Sequence, residues 1–349
     1  MRFSNLDAIP AAILQQTDIQ QLDLTGNQLT VLPDDIGALT HLERLYLDGN
    51  RLTQLPASIT TLSALTTLCL NVNRLAALPA DIGQMHNLEI LFVYGNQLTT
   101  LPDSLCDLPR LREISVGNNR LTHVPERLWR MSSLTSLNLA ENQFTHIPEA
   151  IGELRELHTL DLGHNRLTEL PESLGHLHNL THYLYLSDNK LTALRDSLFT
   201  GLKRLQYLNV TDNQLTALPT TIGALDSLVE LRLYNNRLAS LPDAIGALAN
   251  LRELHLMNNR LTELPDAIGR LAQLRLLDLR NNHLRQLPDS IGQLTELRHL
   301  DLRNNRLLHL PPSIADLPHL EKLDLRWIRF HRPPAWIKRL RARGCLVYL

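Results

Sequence analysis

Aromatic side chains make up only 4% of this 349-residue chain, and cysteine occurs three times. Cys69, Cys106 and Cys345 are far apart and odd in number, so they form neither a disulfide framework nor a zinc spacing. That pattern favours a reducing compartment. Neither sign of charge dominates: 34 Lys+Arg against 36 Asp+Glu leave a formal charge of −2. No global field therefore directs the molecule to nucleic acid or an acidic membrane. No apolar run approaches the roughly 18 residues of a membrane helix, and the opening MRFSNLDAIPAAILQQTD lacks the continuous apolar stretch of a secretory signal. Catalytic signatures are missing as well. G-x-x-x-x-G-K-[ST], G-x-G-x-x-G, H-E-x-x-H and G-x-S-x-G do not occur, so no enzyme activity and no cofactor are expected.

What the chain does have is self-similarity. Asparagine recurs at 27, 50, 73, 96, 119, 142, 165, 189, 213, 236, 259, 282 and 305, at ten intervals of 23 residues and two of 24. Around each Asn the chain reads L-x-x-L-x-L-x-x-N-x-L-x-x-L-P-x-x-I-G-x-L, as in LRELHLMNNRLTELPDAIG. The L-x-L pair (Leu22 and Leu24, Leu45 and Leu47) is a short strand whose alternate side chains point inward. Proline opens the return segment in a first helical turn, where its missing N–H costs little. Ile36, Leu39 and Leu42 turn a short helical or 3₁₀ stretch onto the same core. The Asn amide satisfies turn backbone between coils, a structural role with no chemistry. One coil cannot bury its own leucines, so stability comes from stacking neighbours.

The repeat resembles the leucine-rich repeat family, in its intracellular 23-residue class. That class is similar to Ras-group scaffold proteins and to bacterial leucine-rich repeat proteins. The resemblance implies an α/β solenoid, a right-handed horseshoe with a parallel concave sheet of about fifteen strands and short helical or 3₁₀ convex segments. It also implies a protein partner held on the concave face. Residues 1–349 read as one solenoid: a capping half-repeat over 1–21, where Gln16 replaces a core leucine, Asn-bearing repeats over 22–322, and a basic cap over 323–349. In that cap, Leu346 and Tyr348 stand 23 residues after Leu323 and Leu325 and are expected to point inward in a last strand.

Three columns flank the strand leucines and should line the concave face. Six of the seven tyrosines fall there: Tyr46, Tyr94, Tyr183, Tyr185, Tyr207 and Tyr234. Phe92 joins the earlier group; Arg232, His255 and Met257 adjoin the later one. Tyrosine combines contact area, a hydrogen-bonding tip and low rotamer entropy, which suits a binding surface. The plain alternative is that tyrosine is simply a good strand residue. The later cluster coincides with the two irregular coils. One extra residue lies between Leu180 and Leu184, and another in SLFTGL, where Arg195 also replaces the usual proline. These insertions are expected to re-aim the tyrosines.

Other features read more plainly. Asp278/Arg280, Asp301/Arg303 and Asp324/Arg326 form an acidic column beside a basic one, either self-neutralising or a polar clamp for a charged partner. Arg326, Arg329, Arg332, Lys338, Arg339, Arg341 and Arg343 give the last 25 residues a basic bias, read as a solvated cap. His176, His178 and His182 occupy variable return-segment positions and are read as surface residues, with no metal site expected. Cys69 is taken as exposed, but Tyr46 and Phe92 beside it supply no base. The expected function is a non-catalytic scaffold or recognition module for a protein ligand, monomeric, cytoplasmic and engaged in signalling, with no membrane or nucleic-acid partner. The alternative is the recognition fragment of a larger enzyme, such as a bacterial effector ubiquitin ligase delivered into a host cell, or a repeat-bearing kinase or GTPase.

Overall fold

The computed structural model describes Arg2, residues 4–330 and residues 333–349. Arg332 of the basic end lies outside the described residues. The chain groups into two compact units, Met1–Arg166 and Leu167–Leu349.

The first unit carries seven three-residue strands, from β1 (Gln21–Asp23) through β4 (Ile90–Phe92) to β7 (Thr159–Asp161). They pair in parallel and in chain order. The second unit carries β8 (Tyr183–Tyr185), β9 (Tyr207–Asn209), β10 (Glu230–Arg232), β11 (Glu253–His255), β12 (Leu276–Asp278), β13 (His299–Asp301), β14 (Lys322–Asp324) and β15 (Leu346–Tyr348), again parallel and sequential. Parallel neighbours one repeat apart place equivalent residues side by side, as in Leu231 opposite Leu254. Each column of the repeat thereby becomes a row across the sheet.

The repeated leucines form the core in both units. Leu45, Leu47, Ile36, Leu39 and Leu42 are all fully buried. The return segments are short 3₁₀ turns such as Asp34–Ala38 and Asp243–Ala247. Proline does not sit inside the first turn, as the sequence suggests, but one position earlier. Pro33 and Pro242 are N-caps in extended conformation, and their carbonyls accept the N–H of Ile36 and Ile245 at 3.1 and 3.0 Å. Proline fits there because its fixed φ matches an extended cap and no partner is needed for an N–H. The glycine of I-G-x-L is required by close approach. A Cβ on Gly223 would stand 2.7 Å from the carbonyl oxygen of Ala244 in the next coil.

The recurrent asparagines are buried and bridge coils as expected. Asn50 accepts from the N–H of Leu29 at 3.1 Å and donates to the carbonyls of Leu24 and Leu47 at 3.0 and 2.9 Å. The residue before each Asn is left-handed, with φ between +48° and +70°. In the second unit this position becomes a second ladder. Asn258 donates to Asn235 at 2.5 Å, Asn281 to Asn258 at 2.6 Å and Asn304 to Asn281 at 3.0 Å, while Asn235 donates to the Asp212 carboxylate at 2.6 Å. Asparagine tolerates the left-handed region, so it serves the turn and the ladder together.

The insertion in SLFTGL is absorbed locally. Here the 3₁₀ turn of other coils becomes an α-helix, Asp196–Gly201, and Arg195 replaces proline as its N-cap. An α-turn takes 3.6 residues where a 3₁₀ turn takes three, so one extra residue fits within the wider helix. The last strand forms, but one residue out of the expected phase. Lys322, Leu323 and Asp324 pair with Leu346, Val347 and Tyr348, so Val347 is buried while Leu346 and Tyr348 are 59% and 40% exposed. The helix Ile337–Ala342 runs into Gly344 at φ +90°, which consumes the extra residue. Such a slip exchanges the two faces of a strand. The basic residues of this end cap the coil: Arg343 donates to the carbonyls of Ala315 and Leu317 at 2.8 and 3.1 Å, and Arg339 pairs with Asp316 at 2.8 Å.

Candidate partner-binding face

The strand residues that flank the buried leucines lie on the open face of each sheet. None of the six tyrosines is buried, and Tyr183 is 44% exposed. The two aromatic groups differ in construction. In the first unit, Tyr46 and Phe92 share a row, but Cys69 stands between them. Cys69 is buried rather than exposed, and burial pushes its thiol up to about 12. It is shut in by the larger Tyr46 and Phe92 on either side, which supply no base, as expected, but do supply cover. Tyr94 is tied down. Its hydroxyl donates to Glu141 at 2.6 Å, two coils away, and a Cβ on Gly117 would stand 2.9 Å from Cδ2 of its ring. Glycine at 117 is what lets the ring lie across the neighbouring coil. The Glu141 hydrogen bond, with burial and the Glu141 charge behind it, raises the Tyr94 phenol.

In the second unit the aromatics meet. Ring centroids of Tyr183 and Tyr185 are 5.6 Å apart, Tyr185 and Tyr207 5.0 Å, and Tyr183 and Tyr207 6.3 Å in an edge-on arrangement. These separations suit favourable offset and edge-to-face contacts. The extra residue after Leu180 puts three residues between inward leucines instead of two, and His182 and Tyr183 are pushed into solvent. The Tyr183 and His182 rings are 5.9 Å apart.

Arg232 continues the strip. Its guanidinium lies 5.4 Å from the Tyr207 ring centroid, and its Nε donates to Glu230 at 2.5 Å. Burial opposes the charge of Arg232, but the Glu230 hydrogen bond and the surrounding phenols and carboxylate outweigh it and strengthen the cation. Burial pushes the Tyr207 phenol up, so it remains a neutral donor. Tyr234 lies two residues beyond Arg232, half-buried on the same side. His255 Nε2 is 3.1 Å from Glu253 and 3.8 Å from Glu230. Met257 is half-buried and engaged from the next coil, its sulfur 2.7 Å from Arg280 Nη2. Sequence reasoning missed Glu230 and Glu253. They occupy the column before the first strand leucine, one repeat apart, a spacing that could have revealed them.

The acidic and basic columns neutralise each other. Arg303 holds Asp301 at 2.6 Å, Arg326 holds Asp324 at 2.7 Å, and Arg280 holds Asp278 at 3.1 Å. Asp324 is fully buried. Burial pushes its carboxyl up, but hydrogen bonds from Arg326 and the charges of Arg303 and Arg326 pull it below the usual range. His176, His178 and His182 are exposed, as expected.

Comparison with known proteins follows the same lines. Residues 12–116 and 263–342 match a family model described as a leucine-rich repeat region. Residues 109–167, 132–182, 179–238 and 226–284 match a leucine rich repeat model. The chain belongs to the leucine-rich repeat family. Among solved structures, it is similar to a leucine-rich repeat protein of Leptospira interrogans, with 35% identity and a TM-score of 0.92, covering all of this chain and 94% of that one. It also resembles the plant peptide hormone receptor RGFR1, seen in complex with RGF2, at 30% identity and a TM-score of 0.76, covering 93% of this chain and 57% of that one. Toll of Drosophila, in its complex with Spatzle, gives 27% identity and a TM-score of 0.81 over 94% of this chain and 47% of that one. This leucine-rich repeat chain thus spans about half the length of those two receptors. No curated protein matches it by sequence. The fold is typical of protein–protein interaction modules and typically non-catalytic. No helix among the described residues is long and apolar enough to cross a membrane.

Proposed function

We propose that the chain is a non-catalytic recognition module that binds a protein partner on the open face of its second unit. The contact is centred on Tyr183, Tyr185, Tyr207 and Tyr234, with Arg232, His255 and Met257 at its side. The single observation carrying this reading is the three-ring cluster on the open face, exposed at Tyr183 and half-buried at Tyr185 and Tyr207. Clustered phenols, held against one another and against a guanidinium, lose little entropy on binding and offer both apolar area and hydrogen bonds. The related plant receptor in complex with RGF2 is in keeping with a protein or peptide ligand. Tyr46, Phe92 and Tyr94 form a subsidiary contact, since Tyr94 is already committed to Glu141. The proposal includes a monomeric, cytoplasmic scaffold in signalling.

Affinity capture from the native host, comparing the wild type with Y183A/Y185A/Y207A/Y234A, tests this. The partner captured by the wild type is expected to be lost from the variant while its circular dichroism stays unchanged. Equal capture by both would overturn the assignment.

A further inference from the structure

On the same face, β10 and β11 place Glu230 directly opposite Glu253, and His255 two residues beyond Glu253 on the same side. Like charges directly opposite on adjacent strands are unfavourable. Arg232 pairs with Glu230, while the Glu253 carboxylate faces the imidazole of His255. The ligand atoms converge: His255 Nε2 lies 3.1 Å from Glu253 Oε2 and 3.8 Å from Glu230 Oε1, and one atom from each residue lies within 4.8 Å of the others. A tetrahedral zinc with bonds of about 2.1 Å holds its ligands about 3.4 Å apart, between those two separations. All three residues are partly buried and stand on paired strands, so the donors are fixed by backbone register rather than by loops.

We propose that Glu230, Glu253 and His255 form a binding site for a divalent transition-metal ion of the zinc class. Imidazole with two carboxylates selects such an ion over magnesium or calcium, which prefer all-oxygen shells. Three protein ligands leave a fourth position facing solvent, open to water or to a donor from a bound macromolecule. Arg232 must yield Glu230 to the ion, and it has a second support in the face of Tyr207. The ion would therefore sit one strand from the aromatic cluster, yet the site does not depend on the partner-binding proposal.

The test is equilibrium dialysis of the chelator-treated full chain against Zn2+, with the visible absorption of Co2+ as a second reading of coordination number. One tight ion per chain is expected, with a four- or five-coordinate Co2+ spectrum. H255A, E253Q and E230Q are each expected to weaken Zn2+ binding by at least about tenfold, while H178A, at an exposed histidine, leaves it unchanged. The two Glu→Gln variants keep side-chain shape and carry the test if H255A fails to fold. Tight binding that survives E253Q and E230Q, or that H178A removes, would overturn the proposal.

Discussion

Asn259 accepts a hydrogen bond at 3.0 Å from the backbone N–H of Leu238, 21 residues earlier in the chain. Its amide nitrogen donates at 2.9 Å to Leu233 of that preceding coil and at 3.0 Å to Leu256 of its own. One side chain thus closes three backbone groups that packing has removed from water. Asn259→Ala leaves those groups unpaired, each worth about 1 kcal/mol or more. A loss of about 2–4 kcal/mol is expected by urea unfolding, and a loss below about 1 kcal/mol would mean that water replaces the amide.

Val72 is the one β-branched residue in the left-handed column, at φ +55°, and it is 59% exposed. Its neighbours there in the first unit, Gly49 and Gly95, pay no such steric cost. Val72→Asn is expected to stabilise the protein by about 1 kcal/mol, since strain is relieved and little packing is lost. An unchanged or lower unfolding midpoint would contradict this.

The thiols should be inert. Burial pushes Cys69 up to about 12 and Cys106 up to about 11. At pH 8 the Cys69 thiolate is then on the order of one molecule in ten thousand. Alkylation followed by mass spectrometry is expected to label neither residue rapidly until denaturant is added. Fast labelling of native Cys69 would show that its row is not closed.

Acid should act partly through Asp324. Its carboxyl lies below the usual range in the folded state, so its contribution is present above the ordinary carboxylate value and is lost as pH falls through the depressed one. Asp278 works in the opposite sense, because burial raises its carboxyl despite Arg280. Asp324→Asn is expected to cost about 2–3 kcal/mol at pH 7 and progressively less below pH 4. A deficit of the same size at pH 2 would contradict the electrostatic origin.

The repeat made the fold readable because one periodic pattern recurs, and Leu, Asn, Pro and Ile each have a single physical task within it. The open-face columns were readable for the same reason: the side of a strand residue follows from its distance to the nearest core leucine. Tyr348 escaped because Gly344 inserts a turn that shifts the phase by one. Tyr94 escaped because its partner Glu141 lies 47 residues away, and the burial of Cys69 escaped because Tyr46 and Phe92 were weighed as possible bases and not as cover. The Glu230–Glu253–His255 group escaped because His255 was taken only as a partner contact, without the carboxylates that its own strand and the preceding repeat bring beside it.

The molecule divides between a lattice of leucines and asparagines that holds the coils and an open wall free to vary. Urea unfolding of Y183A/Y185A/Y207A/Y234A beside N236A tests that division directly. The four tyrosine changes together should cost less than about 2 kcal/mol, as expected for partly exposed rings, while the single asparagine change costs as much or more. A quadruple variant that unfolds far more readily than N236A would show that the aromatic cluster is part of the scaffold, and the division would fail.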